Sequence, residues 1–522
     1  MASASASAGR PEEGEPDLKH GAIGFFDALI VGISSTAPAY SIAAVIGIVV
    51  VGVGLQSPGV LLLSFVPMFL IASAFFYMNR ADPDCGTNFS WITRAIGPSV
   101  GWVAGFAVCT TGLIVIGSLT DVSAYYILDI LGFDSLLPAG EANDPVSERI
   151  PTTILSAFLI VMVTTICVVG LELGKWSTRI LIGTQVVALL IFAVVALVKV
   201  WGGDAGEGSI DPSLSWLNPF GGGVSFNATV LGLLTGVFIY WGWESTVNLN
   251  EETEDSDSTP GKAALVSTVV LLLTYLLVTF AVVSYAGVKG VSEFEDDVAV
   301  LGSVADGALG SLSFIVIIAI ITSGIASAQT TILPASRTLL SMARQKAMPQ
   351  SFGRIHPRFQ TPDVATWLVG GVALVWYVFF NLLSQNFLFD SLTALAIVIA
   401  FYYSLTGFAC VIYHRRELTK SAKNFFFIGV APFTGASILA ALFVKAVWEF
   451  RKVDDSYTGQ DILGVAIPAV LGVGLILVGL ILMVVWRLTG HEEFFGRRRE
   501  TVDPDVAAGR KAGVAAVPEG LV

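Results

Sequence analysis

The chain has 522 residues, 54% hydrophobic and only 13% charged, with a mean hydropathy of +0.77 and a formal net charge of -13. A water-soluble fold of this length could not carry so much apolar surface, so the composition excludes soluble classes and implies an all-α polytopic membrane protein bathed in lipid, with no nucleic-acid partner. Walker, GxGxxG and nucleophile-elbow patterns are absent, which leaves ATP-driven transport and hydrolase chemistry without a foothold.

Residues 1–20 are low-complexity, acidic and Pro-containing, with no apolar signal-peptide core, and read as a disordered cytoplasmic tail. Apolar runs of about 20 residues then predict about twelve spanning helices. They lie near Phe25–Gly54, Gly59–Met78, Val100–Leu131, Pro151–Leu171, Ile180–Trp201, Phe226–Leu249, Ala263–Val288, Ser311–Leu340, Val364–Leu383, Phe389–Tyr413, Phe425–Glu449 and Ile462–Trp486. Residues 489–522 read as a second cytoplasmic tail. With the N-terminus inside, 22 of the 28 Lys and Arg fall on cytoplasmic segments, so a multi-pass protein of the plasma (inner) membrane with both termini cytoplasmic is expected. Glu141, Asp144, Glu148, Asp204, Glu207, Asp211, Glu293, Glu295, Asp296 and Asp297 then occupy outer loops, where solvation explains them. Cys109, Cys167 and Cys410 fall within helices and Cys85 on a cytoplasmic loop, so no disulfide is expected. The four histidines show no ligand spacing, so neither a metal site nor a cofactor is expected.

Two spans carry interruptions. The first contains Val31 to Ser41, VGISSTAPAYS, where Pro38 lacks an amide donor and Ser34, Ser35 and Thr36 offer hydroxyls for freed carbonyls. The sixth contains Gly236 and Gly242 among Phe238, Tyr240, Trp241 and Trp243, and places Glu244 within an apolar helix before Glu251 and Glu252. A carboxylate at membrane depth costs about 2.5 kcal/mol or more, so Glu244 implies a pathway or a partner. Two kinks used only for packing are the plain alternative. Breaks in corresponding positions of two inverted repeats would instead face each other at the midplane, as in secondary transporters.

Three motifs carry a resemblance. They are Gly242-Trp243-Glu244-Ser245 with Glu251-Glu252-Thr253, the loop from Arg80 to Pro98, and the run Ser336 to Pro349 followed by His356-Pro357 and Thr361-Pro362. Over roughly Gly21 to Arg416 the chain resembles the amino acid/polyamine/organocation permeases. That resemblance implies a leucine-transporter-like fold of five plus five inverted helices (about residues 21–202 and 226–416) followed by two more (about 425–488). Three positions depart from the family pattern: Gln345-Lys346 replaces the usual Asp-Gly, SSTAPAYS replaces a Gly-rich break, and Gln185 stands where some members have Lys.

At the first break, amides of Ser34, Ser35, Thr36 and Ala37 are candidates for a substrate carboxylate, because a free helix N-terminus favours anions. Carbonyls at Phe238, Ile239 and Tyr240 suit an ammonium, and the resemblance implies the same polarity. Side-chain selection is assigned to Cys109, Thr110 and Leu113, Trp243, Ser323 and Ser327, and Tyr402 or Tyr403, with Phe238 as an aromatic gate. Asp121 and Asp129 can share a helical face that a cationic substrate would meet, though hydration near the interface also accounts for them. The expected function is a secondary active transporter of amino acids or related amines. Its coupling ion is H+ through Glu244, or alternatively Na+ held by Thr322 and Ser323 with first-helix carbonyls; uncoupled exchange is the third possibility, and Gln185 bears on the choice. A channel would want a continuous polar stripe, and a membrane enzyme convergent catalytic groups; the sequence shows neither. Oligomeric state is left open.

Overall fold

The structure is a computed structural model that describes residues 17–136, 146–170, 175–206, 208–293, 300–383, 387–453, 456 and 458–501. The first apolar run folds as two half-helices, α1 (Phe25–Ser35) and α2 (Pro38–Val53). Proline tolerates the first turn of a helix because its missing N–H would be unpaired there anyway, so Pro38 starts α2. Of the two residues between, Thr36 and Ala37, the second takes φ +49°, an uncommon conformation for a non-glycine residue. After a turn at Gly54–Gln56 come α3 (Ser57–Ala81), the short α4 (Asn88–Ala95), α5 (Pro98–Ile130), α6 (Val146–Val169) and α7 (Lys175–Gly202).

The sixth run also folds in two pieces, α8 (Phe226–Ile239) and α9 (Ser245–Asn248), joined through Gly242 at φ +115°. Then follow α10 (Thr259–Ser292), α11 (Val300–Leu309), α12 (Phe314–Arg344), α13 (Asp363–Leu383) and α14 (Phe387–Tyr413). The single turn α15 (Ala422–Asn424) runs through a π-turn, Phe425–Val430, into α16 (Ala431–Glu449), and a two-residue hairpin precedes α17 (Ile467–Leu488) and α18 (Glu492–Phe495). The protein is thus an all-α multi-pass membrane protein.

Ten stretches of the described residues are long and apolar enough to cross a membrane. The count falls below the twelve predicted segments for a physical reason. Phe25–Ala81 forms one stretch containing both α1–α2 and α3, while α8 is short because the break takes its end. The α11 helix has no counterpart among the predicted segments. The broken pair α1–α2, with α5, α10, α12 and α14, forms the packed interior, whereas α13 and α17 turn most of their apolar surface outward.

Two sequence expectations need correction at the chain ends. The predicted first tail is not featureless up to residue 20, because Leu18 is buried and Asp17 and His20 bond to other segments. In the second tail, α18 packs Phe494 against Phe89, and Arg497 bonds to Gln345. Both described ends therefore sit on the same end of the bundle. The predicted acidic-loop residues Glu141, Asp144, Glu207, Glu295, Asp296 and Asp297 lie outside the described residues, as do the tail residues 1–16 and 502–522, and nothing is described of the Glu148 side chain.

Candidate functional site at two touching helix breaks

The two breaks meet. A Cβ placed on Gly242 would lie 2.7 Å from the Ser35 carbonyl oxygen and 3.0 Å from the Thr36 nitrogen, so only glycine permits this backbone approach. The hydroxyls of Ser35 and Ser245 bond at 2.6 Å across the same junction. From α12, Ser327 donates to the Ser35 carbonyl (2.8 Å), and from α10, Tyr275 donates to the Ile239 carbonyl (2.9 Å). Side chains of α10 and α12 thus take up carbonyls that the breaks release, which is the condition for irregular backbone at membrane depth.

Glu244 is 4% exposed and spans the second break. Its Oε2 accepts the Gly242 amide at 3.0 Å, and its Oε1 accepts the Tyr402 hydroxyl at 3.1 Å. Tyr402 in turn accepts from the Trp241 indole. Both carboxylate contacts are donors, an arrangement suited to an ionised group. Glu244 therefore ties the break to α14.

Several sequence-assigned roles move. The amides of Thr36 and Ala37 donate to the carbonyls of Gly32 (3.4 Å) and Ser34 (3.0 Å), so they close α1, and those of Ser34 and Ser35 lie within it. Since Pro38 has no N–H, the amides that open α2 are those of Ala39 and Tyr40, and the latter meets the Ser323 hydroxyl at 3.4 Å. Cys109 meets the Ala335 carbonyl at 3.6 Å, eight residues along α12 from Ser327 and so about 12 Å from the break at 1.5 Å per residue. Thr110 bonds within its own helix and Leu113 packs at the core's margin. The α5 residue that does reach the first break is Ser118, bonded to the Tyr40 hydroxyl. Sequence periodicity could not single it out, because Thr110, Thr111, Thr120 and Ser123 also recur round α5 without forming one polar face.

Trp243 packs edge-on against Phe75 and beside Tyr403, and Tyr240 packs against Phe65 and Tyr275. Phe238 is buried, with its carbonyl taken by the Trp241 amide at 3.0 Å. Thr322 and Ser323 meet different partners: Gln185 approaches Thr322 at 3.4 Å, and Ser323 faces Tyr40. At the breaks and beside them, Ser34 Oγ, Gln185 Oε1 and Tyr240 OH are buried without a hydrogen-bond partner.

A cleft lined by Gly117, Ser118, Tyr377 and Asn381 lies between α5, α13 and α14. Asp121 is bonded by the Tyr377 hydroxyl at its edge, so Asp121 is held within the bundle by α13 rather than by hydration alone.

The three resemblance motifs converge elsewhere, on the end of the bundle where the chain ends pack. Glu251 pairs with Arg344 and Glu252 with Arg337, at 2.8 and 2.9 Å. Asp84 accepts the hydroxyls of Ser90 and Ser341 and the Gly86 amide, all at 2.8 Å. In the Gln345-Lys346 pair that departs from the family pattern, Gln345 donates to Ser90 (2.9 Å) and accepts from Arg497 (2.7 Å), and Lys346 pairs with Glu493 at 2.8 Å. Asp17 pairs with Arg344, while the His20 ring contacts Asp17 and the Glu251 carbonyl. Burial raises the Asp17 carboxyl, but the His20 and Leu18 hydrogen bonds with Arg344 bring it below its ordinary value. His20 is raised, chiefly by its bond to Asp17 and against its burial.

Similarity to known proteins agrees with this architecture. The low-affinity putrescine importer PlaP of Escherichia coli K12 is 25% identical over 400 residues, covering 73% of this chain and 79% of the importer. The branched-chain amino acid permease BcaP of Lactococcus lactis is 24% identical over 418 residues, covering 78% and 86%. The methylthioribose transporter of Bacillus subtilis is 24% identical over 390 residues, covering 72% and 79%. These relatives are transporters rather than enzymes. The amino acid permease profile matches residues 23–485, and the chain belongs to that family, within the amino acid/polyamine/organocation permeases.

Proposed function

We propose that the protein moves amino acids or related amines across the plasma membrane by alternating access at the junction of the two breaks, with about twelve crossings in five-plus-five inverted repeats and both termini cytoplasmic. The observation that carries this reading is the Gly242–Ser35 approach. Two interrupted helices in contact bring their helix-end dipoles and the unpartnered Ser34 hydroxyl to one point, and such a point suits a zwitterion. The α2 N-terminus at Ala39 and Tyr40 takes the carboxylate role first assigned to Ser34–Ala37.

Proton coupling is the favoured driver. Glu244 is held by the amide of Gly242 and the hydroxyl of Tyr402, so any rearrangement of residues 240–244 changes its solvation and links its protonation to transport. Sodium coupling is less well supported because Thr322 and Ser323 meet different partners. Purified protein in proteoliposomes tests the assignment directly. Saturable uptake of an amino acid or diamine, increased by an inward proton gradient and indifferent to replacing sodium with choline, is expected. Uptake that follows sodium would overturn the coupling, and flux that never saturates would favour a channel.

A further inference from the structure

On the end of the bundle predicted to be cytoplasmic, a second cleft opens between the ends of α3 and α14 and the start of the α15–α16 segment. It is about 480 Å³ including its mouth and is lined by Tyr77, Arg80, His414, Lys423 and Asn424. His414 is 2% exposed, and neither ring nitrogen has a hydrogen-bond partner of good geometry, although the Tyr77 carbonyl stands near. A buried imidazole facing a cleft with no partner requires an explanation, because nearly all buried polar groups find one. Burial holds the ring down to about 4 against the Tyr77 carbonyl, so at neutral pH it is uncharged and presents one N–H.

The charge around it is cationic. Arg80 and Lys423 are exposed, and neither has an ion pair among the described residues. The nearby acid, Glu417, is taken by Lys420 at 2.6 Å, and its carbonyl accepts from Asn424. Next in the chain stand Phe425, Phe426 and Phe427, exposed by 57%, 52% and 44% on the π-turn. A basic pocket that opens beside aromatic side chains facing the membrane matches a phosphate headgroup with its acyl chains alongside.

We propose that this cleft holds the phosphate of an anionic membrane phospholipid, with Arg80 and Lys423 as counter-charges, the His414 N–H as donor and Phe425–Phe427 against the acyl chains. The site is separate from the helix breaks, so it stands or falls independently of the transport reading. The test uses the full-length protein in nanodiscs of phosphatidylcholine with or without phosphatidylglycerol, read by native mass spectrometry for retained lipid and by melting temperature. The wild-type protein should retain a phosphatidylglycerol molecule and melt higher with it. Arg80→Gln and Lys423→Gln, both at exposed positions that tolerate substitution, should each weaken retention roughly five-fold, the effect of one basic group near an anionic surface. Arg358→Gln, on an exposed loop of the same face, should not. Equal retention in all four proteins, or an equal loss with Arg358→Gln, would overturn the proposal. Inorganic phosphate that raises the melting temperature in phosphatidylcholine discs through Arg80 and Lys423 would identify a soluble phosphate as the occupant and overturn the lipid assignment.

Discussion

Gly242 and Ser35 lie against each other at the breaks of two helices far apart in sequence, so closely that a Cβ on Gly242 would stand 2.7 Å from the Ser35 carbonyl oxygen. The contact involves backbone on both sides, so neither partner can yield by a rotamer change. Gly242→Ala adds that clash to a strained φ, and a loss of about 1–3 kcal/mol of stability is expected, with transport abolished. Gly371→Ala in α13, where a Cβ meets nothing within 4 Å, is the control. Uptake by Gly242→Ala at the wild-type rate would show that the breaks need not touch.

The N-terminal anchor should depend on pH with a definite sign. His20 is raised in the folded protein, so its contribution is fully present below the ordinary histidine value of about 6.5 and is lost as pH rises through the raised value. Asp17 is lowered, so its contribution appears above the ordinary aspartate value and is lost as pH falls through the folded one. Amide exchange at residues 17–20 should therefore be slowest, after correction for intrinsic rates, between those limits, and should speed up in alkali. His20→Gln should remove the alkaline acceleration; an unchanged profile would leave His20 without an anchoring role.

Orientation can be read with single cysteines, because all four native cysteines are buried. Ser292 and Ser351 are both exposed. Cysteine at Ser292 should react with an impermeant thiol reagent added to intact cells, and cysteine at Ser351 should not. The reverse pattern would invert the topology drawn from Lys and Arg placement.

Glu244→Gln probes coupling. Gln keeps the shape and can still accept from Tyr402, but its amide group cannot accept from Gly242, so about 1 kcal/mol of stability should be lost with the fold intact. Substrate binding should survive, while transport loses most of its pH dependence and no longer responds to a proton gradient. A mutant that keeps the wild-type pH profile would confine Glu244 to joining the break to α14.

Much of this architecture is legible in the sequence because membrane-spanning helices announce themselves by length and apolarity, and because Pro38 and Gly242 cannot continue a regular helix. Side-chain roles were legible only where chemistry restricts them. Glu244 stands out because a carboxylate is costly at that depth, whereas Cys109 and Trp243 look equally plausible on any face of an apolar helix. Ser118 is one of several hydroxyl residues spread round α5, so nothing in the sequence sets it apart. Which amides at the first break are free could not be read from the sequence, since Pro38 marks where a half-helix begins but does not say which amides the preceding half still uses. The convergence of Asp84, Glu251 and Arg344 needed the folded chain, because the three motifs lie far apart along it.

The most direct test of a carrier with one alternately exposed site is solute counterflow. Proteoliposomes loaded with an excess of unlabelled substrate and diluted into a trace of labelled substrate, with no ion gradient, should accumulate label transiently above its outside concentration. The rise should depend on the loaded substrate and disappear in Gly242→Ala. Label that only equilibrates, at a rate indifferent to what is loaded inside, would contradict alternating access and leave a channel as the better account.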